Sequence, residues 1–155
     1  MDKTQFINTL KVTREEWDEL LAQIGETRME QSGATGKWSV KDVIAHVAWC
    51  EREMVPVMRT HVLAGSELWD LSDYESNEIV YQRNRDRSLH EIMSDEQQAY
   101  TNLLEAAQTL NDEDLNDAHR FKHMPQDWIP WQLFAGNSFD HYRDHMTSLS
   151  EWLAQ

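Results

Sequence analysis

The sequence predicts an all-α fold, a four-helix bundle, on three observations. Glycine and proline are scarce, 5 and 3 of 155 residues. Apolar residues recur close to every 3.6 positions along nearly the whole chain, the period of a helix with one buried face. Four long stretches of that pattern are separated by connections of mixed length, as in a bundle. A chain of this length is expected to form one domain over 1–155 and to bury a core without staples.

The first helix is predicted over Asp2 to Ile24, with Phe6, Leu10, Thr13, Trp17, Leu20 or Leu21, and Ile24 as its stripe. Asp2 and Gln5 resemble a capping box, and Gly25 marks the stop. Thr13 with Glu16 makes a second such box, leaving room for a break there. The second helix has the clearest start: Ser39 at the N-cap, Asp42 at N3, and Trp38 placed to staple onto Val43. Pro56 falls inside its pattern and predicts a kink near Arg52 to Met54, since the pattern resumes with Val57, Met58 and Val62. The 65–88 connection is irregular, with a short extra helix near Ser76 to Asn84. Ser88 and Glu91 then cap a third long helix, with Leu89, Ile92, Glu96, Ala99, Leu103, Ala106 and Leu110 on one face. Pro130 is placed as N1 of a last helix running from Trp131 to Trp152.

Charge and cysteine count narrow the function. With 28 acidic and 14 basic residues the formal charge is −14, which repels phosphate backbones, and no basic stripe overrides it. Nucleic acid is therefore not an expected partner, and no apolar run reaches the length of a membrane span. Cys50 is the one cysteine, so no internal disulfide forms, and the start of the chain has no apolar signal region. A cytoplasmic protein acting on a small molecule is the expectation, and exposed aromatic surface such as Trp69 would fit a homodimer. Seven tryptophans either fill the core or in part line a pocket, with Trp49, Trp131, Tyr142 and Trp152 as candidate walls. Arg83, Arg85 and Arg87 are the one basic cluster, either a solvated helix end or a carboxylate receptor.

The last predicted helix carries His141 and His145, four residues apart and hence one turn apart on one face. That face also holds Phe134, Ser138, Leu149 and Trp152, so both imidazoles point toward the core. Two readings follow: hydrogen-bonded histidines lining the bundle, or two ligands of a metal ion with a third on a facing helix. His46 on the second helix is the candidate third ligand, and three nitrogens would leave positions open for water or substrate. Cys50, one turn on, is a fourth ligand or a small buried hydrophobe. Glu53 and Asp144 are the candidate catalytic carboxylates, as ligand orienters or a general base; the alternative for each is a solvated surface group. His119 and His123 share the spacing but sit in a polar loop that offers no face.

Two segments carry a resemblance. Gly36-Lys-Trp-Ser-Val-Lys-Asp-Val-Ile-Ala-His46 resembles the second-helix entry of the DinB/YfiT-like four-helix bundle superfamily, and Asn137-Ser-Phe-Asp-His141-Tyr-Arg-Asp-His145 resembles its last helix. The tail Ser150-Glu-Trp-Leu153 and the segment Asn77 to Ser88 look most like its ClbS/DfsB branch. The superfamily implies a triad, His46, His141 and His145, holding a divalent metal, zinc or nickel. It also implies a low-molecular-weight thiol, bacillithiol or mycothiol, and an S-transferase, isomerase or hydrolase acting on small electrophiles. The ClbS/DfsB branch implies instead a metal-free hydrolase or sequestering protein against a reactive natural product. A third reading is a non-catalytic bundle whose histidines are structural.

Overall fold

The computed structural model describes Met1–Gln155 and is all-helical. Four long helices form the bundle: α1 (Lys3–Ile24), α2 (Val40–Thr60), α4 (Leu89–Gln108) and α7 (Phe139–Leu153). Three shorter helices, α3 (Asp73–Asn84), α5 (Asp112–Asn116) and α6 (Pro130–Gly136), lie in the connections. α2 packs chiefly along α4 and α1 along α7, with α3 against α2. No strand forms; isolated bridges join Thr35 to Trp38 and Val62 to Lys122. The second ties the loop after α2 to the loop before α6 through hydrogen bonds of 2.8 Å, Leu63 to the Lys122 carbonyl and Lys122 to the His61 carbonyl.

Local chemistry explains the boundaries. Reciprocal capping boxes start α1 (Asp2 with Gln5), α2 (Ser39 with Asp42) and α4 (Ser88 with Glu91), each satisfying two otherwise orphaned N–H groups. α1 runs unbroken past Thr13, because that residue is buried in the stripe rather than capping a new start. It ends at Gly25, whose φ of 77° suits glycine. α2 continues through Pro56 to Thr60, where the Thr60 hydroxyl donates to the Pro56 carbonyl at 2.8 Å. The helix in the 65–88 connection starts earlier than expected, at Asp73, because Ser72 and Glu75 form a further capping box.

The expected single last helix is two helices. Gly136-Asn137-Ser138 interrupts it, with Ser138 at φ −142°, ψ −106°, outside the helical region. Asn137 and Ser138 turn their side chains onto the chain behind them, donating to the carbonyls of Leu133 and Phe134 at 2.9 and 2.7 Å. Such side-chain bonds compete with a regular helix. Tyr142 is fully buried instead of lining a pocket, and Trp152 lies under the Arg28 guanidinium, 4.4 Å from its ring centre.

Between the four long helices the core is not purely apolar. Arg14 of α1 makes a two-pronged ion pair with Glu96 of α4, both almost fully buried. The Arg14 guanidinium also lies 4.0 Å from Glu51 of α2, which accepts the Tyr142 hydroxyl of α7. Tyr142 stacks on Trp17, with ring centres 5.8 Å apart, and Arg14 sits over Tyr100 at 4.4 Å. Burial opposes the charge on Arg14, yet Glu96 more than offsets it, so its pKa is raised. Burial, helped by repulsion from Glu96, holds the Glu51 carboxyl well above the usual range against the pull of its Tyr142 hydrogen bond. Glu96 stands in the apolar stripe of α4 because this partner waits opposite. Removing one partner of such a pair leaves the other unpaired in the core. Arg14→Met is expected to lower the unfolding free energy by about 3–5 kcal/mol, measured by urea titration at pH 7.

Candidate metal centre

The Ser39 cap fixes the start of α2, and two turns later its inner face presents His46, 8% exposed. The break at Ser138 starts α7, which presents His141 and His145 one turn apart. The structure brings all three together. His141 Nε2 lies 3.0 Å from His46 Nε2 and 2.9 Å from His145 Nε2. The ring centres of His46 and His145 are 5.4 Å apart. Cys50 Sγ is 3.9 Å from His46 Nε2, and the ligand atoms of His46, Cys50 and His141 all lie within 4.8 Å of one another. Cys50 is buried and free.

This arrangement fits a divalent cation on two physical grounds. First, protons alone cannot satisfy it. His141 Nε2 carries one proton or one lone pair and faces two other Nε2 atoms, whereas a cation would accept a lone pair from each ring. With metal–nitrogen bonds of about 2.1 Å, ligand atoms at right angles lie about 3.0 Å apart, close to the spacing here. Second, the rings are held neutral. Burial, then repulsion from His145, lowers the His46 pKa to about 4. Burial, then repulsion from His145 and His46, lowers that of His141 to about 3. Burial lowers His145 as well, against the nearby Asp144 charge. Neutral imidazole is the ligating form. The Cys50 thiol is pushed up to about 12, first by burial and then by Glu51 and Glu53, so without a cation it stays protonated.

The Nδ1 atoms of His46 and His141 are buried without a hydrogen-bond partner. Metal-binding histidines usually donate that N–H to an oxygen. Here aromatic packing takes part in orienting His46, which lies between Trp38 and Trp49 with ring centres at 5.3 and 6.3 Å.

A cavity of about 430 Å³ opens beside the cluster, with His46, Cys50 and His141 in its lining. Its other walls come from α2, α3, the loop after α2, and the segment around α6. Trp49 lines it as expected, but Trp131, Tyr142 and Trp152 do not; Trp69 and Trp128 stand there instead. Both lie in connections where helical periodicity gives no facing. Glu53 lines the cavity and accepts the Ser66 backbone N–H at 3.1 Å. Asp144 is exposed and outside the cavity, a charge beside His145. The arginine cluster is engaged with the chain's own carboxylates: Arg83 with Glu67, Arg85 with Asp86, and Arg87 with Asp95. His119 pairs with Asp117 on the surface.

Residues 10–134 match the mycothiol maleylpyruvate isomerase N-terminal domain family. The chain belongs to that family. Its fold places it among the DinB/YfiT-like helical bundles. The matched span takes in α2 with His46 and ends before α7, so His141 and His145 lie beyond it. The chain is also similar in fold to an uncharacterised protein from Escherichia coli UTI89, with a TM-score of 0.76 and 12% identity over 97% of this chain and 92% of that one. No curated protein matches the sequence. No helix is long and apolar enough to cross a membrane.

The histidine pKa values have a sign that can be checked. The unfolded chain takes up protons near pH 6.5 while the folded rings resist until about 4 and 3. Stability from these rings is thus complete above pH 6.5 and is lost as pH falls toward 4. In chelator-treated protein, lowering the pH from 7 to 5 is expected to cost up to about 2 kcal/mol for each of His46 and His141, read from denaturant midpoints. Glu51, with its raised pKa, acts in the opposite direction. The informative quantity is therefore the difference from His141→Phe, whose loss over the same interval should be smaller.

Proposed function

We propose that this chain is a divalent-metal-dependent enzyme acting on small electrophiles, with His46, His141 and His145 as the ligands. The observation that carries this is the His141 Nε2 atom, 3.0 Å from that of His46 and 2.9 Å from that of His145, with His46 and His141 lining a cavity. Zinc or nickel bound there would supply Lewis acidity toward a thiol or a water. The family description, which names a mycothiol-linked isomerase, supports a low-molecular-weight thiol as the co-substrate.

The chain's own residues supply the rest. Trp49, Trp69 and Trp128 exclude water from one side of the substrate and hold an apolar body. Of the two candidate carboxylates only Glu53 lines the cavity, which supports it over Asp144 as the proton acceptor. Cys50 is available as a further ligand, since a bound cation would reverse the burial that now keeps its thiol protonated.

The test is elemental analysis of protein purified without a histidine tag. Wild type is expected to hold close to one zinc or nickel per chain, and His46→Ala and His145→Ala less than a tenth of that. Equal metal content in wild type and His46→Ala removes the site. The ClbS/DfsB-like alternative makes the opposite prediction: protection against a reactive natural product that survives both EDTA and His141→Ala.

A further inference from the structure

The charge lining the cavity is of one sign. Glu53 and Asp73 stand in the wall, and no lysine or arginine does. The nearest arginine in sequence, Arg52, is exposed outside it. Along the backbone of α2, Glu53 is also set apart from His46. Glu53 lies seven residues along α2 from His46, about 10 Å on a helix.

The aromatic part of the wall is held by the same loop that holds Glu53. The Ser66 N–H donates to the Glu53 carboxylate, and next to it Gly65 lies directly against the Trp69 indole. A Cβ at position 65 would fall 1.9 Å from that ring, so Trp69 keeps its seat only while residue 65 is glycine. Trp49 and Trp128 complete an aromatic surface around two carboxylates.

We propose that this cavity selects a ligand with a flat apolar body and a protonated amine, and rejects carboxylates. Tryptophan faces attract cations through their ring quadrupole, and Glu53 and Asp73 offer the matching charge. In the metal-free cavity a ligand carboxylate would instead be desolvated beside two like charges with no lysine or arginine in the wall to receive it. The inference rests on the proposed function only in taking this cavity as the substrate site.

The test uses calorimetry at pH 7 with 2-(1-naphthyl)ethylamine and 1-naphthaleneacetate, on chelator-treated and on zinc-supplemented protein. The amine is expected to bind at least tenfold tighter than the acid in the chelator-treated form, and that preference to narrow on zinc addition, since an open metal position receives a carboxylate. In the double variant Glu53→Gln, Asp73→Asn that ratio should fall below threefold, and Gly65→Ala should weaken the amine at least fivefold. In chelator-treated protein, equal or tighter binding of the acid by wild type, no binding of the amine, or a ratio unchanged in the double variant overturns the proposal. Should the double variant fail to fold, the wild-type ranking decides alone. Amine selectivity without metal binding would sink the metal reading and leave this one; metal binding without selectivity would do the reverse.

Discussion

The histidine cluster depends on how α2 is fixed against α7, and a buried hydrogen bond does much of that fixing. Tyr142 follows His141 directly, and Glu51 follows Cys50 directly. When the Tyr142 hydroxyl donates to Glu51, it sets the relative position of the backbones that carry the site. The Arg14–Glu96 pair behind it extends the same constraint to α1 and α4, so one polar network spans all four long helices. Apolar packing alone tolerates small slips, whereas a buried polar group that loses its partner costs the full penalty of desolvation. The polar network therefore confers register as well as cohesion.

That network also divides the interior by charge. On one side of α2, carboxylates, a guanidinium and a phenol satisfy one another deep in the core. On the other, imidazoles are kept neutral by burial and have no carboxylate bonded to them. Neutral nitrogen at the site and anionic oxygen farther along the cavity wall give the two ends different tastes. One end offers lone pairs that suit a metal ion, and the other carboxylates that suit the organic cation proposed above.

Much of this was legible in the sequence where chemistry is local. The capping boxes at Asp2, Ser39 and Ser88 mark three helix starts because they act within four residues. The i, i+4 spacing of His141 and His145 survives because both stand on α7, after the break. Arg14 was not legible: it adjoins the apolar stripe, and only Glu96, 82 residues away, makes its burial tolerable. The break at Ser138 had a local signal in three successive poor helix formers, Gly136, Asn137 and Ser138, but the apolar period continues across it and the bonds that make it run back to Leu133 and Phe134. Trp69 and Trp128 were missed as walls because loops carry no period. The signal that could have found Trp69 is Gly65, a small residue four positions before a large ring.

The break between α6 and α7 separates two duties that one straight helix would have bound together. Leu133, Gly136 and Asn137 shape the cavity from one side of it, while His141 and His145 hold their geometry from the other. A rigid rod would transmit any repacking of its first turns into the imidazoles. A hinge of two residues absorbs it. Substitutions in α6 can thus reshape what fits in the cavity and leave the histidine cluster on α7 undisturbed.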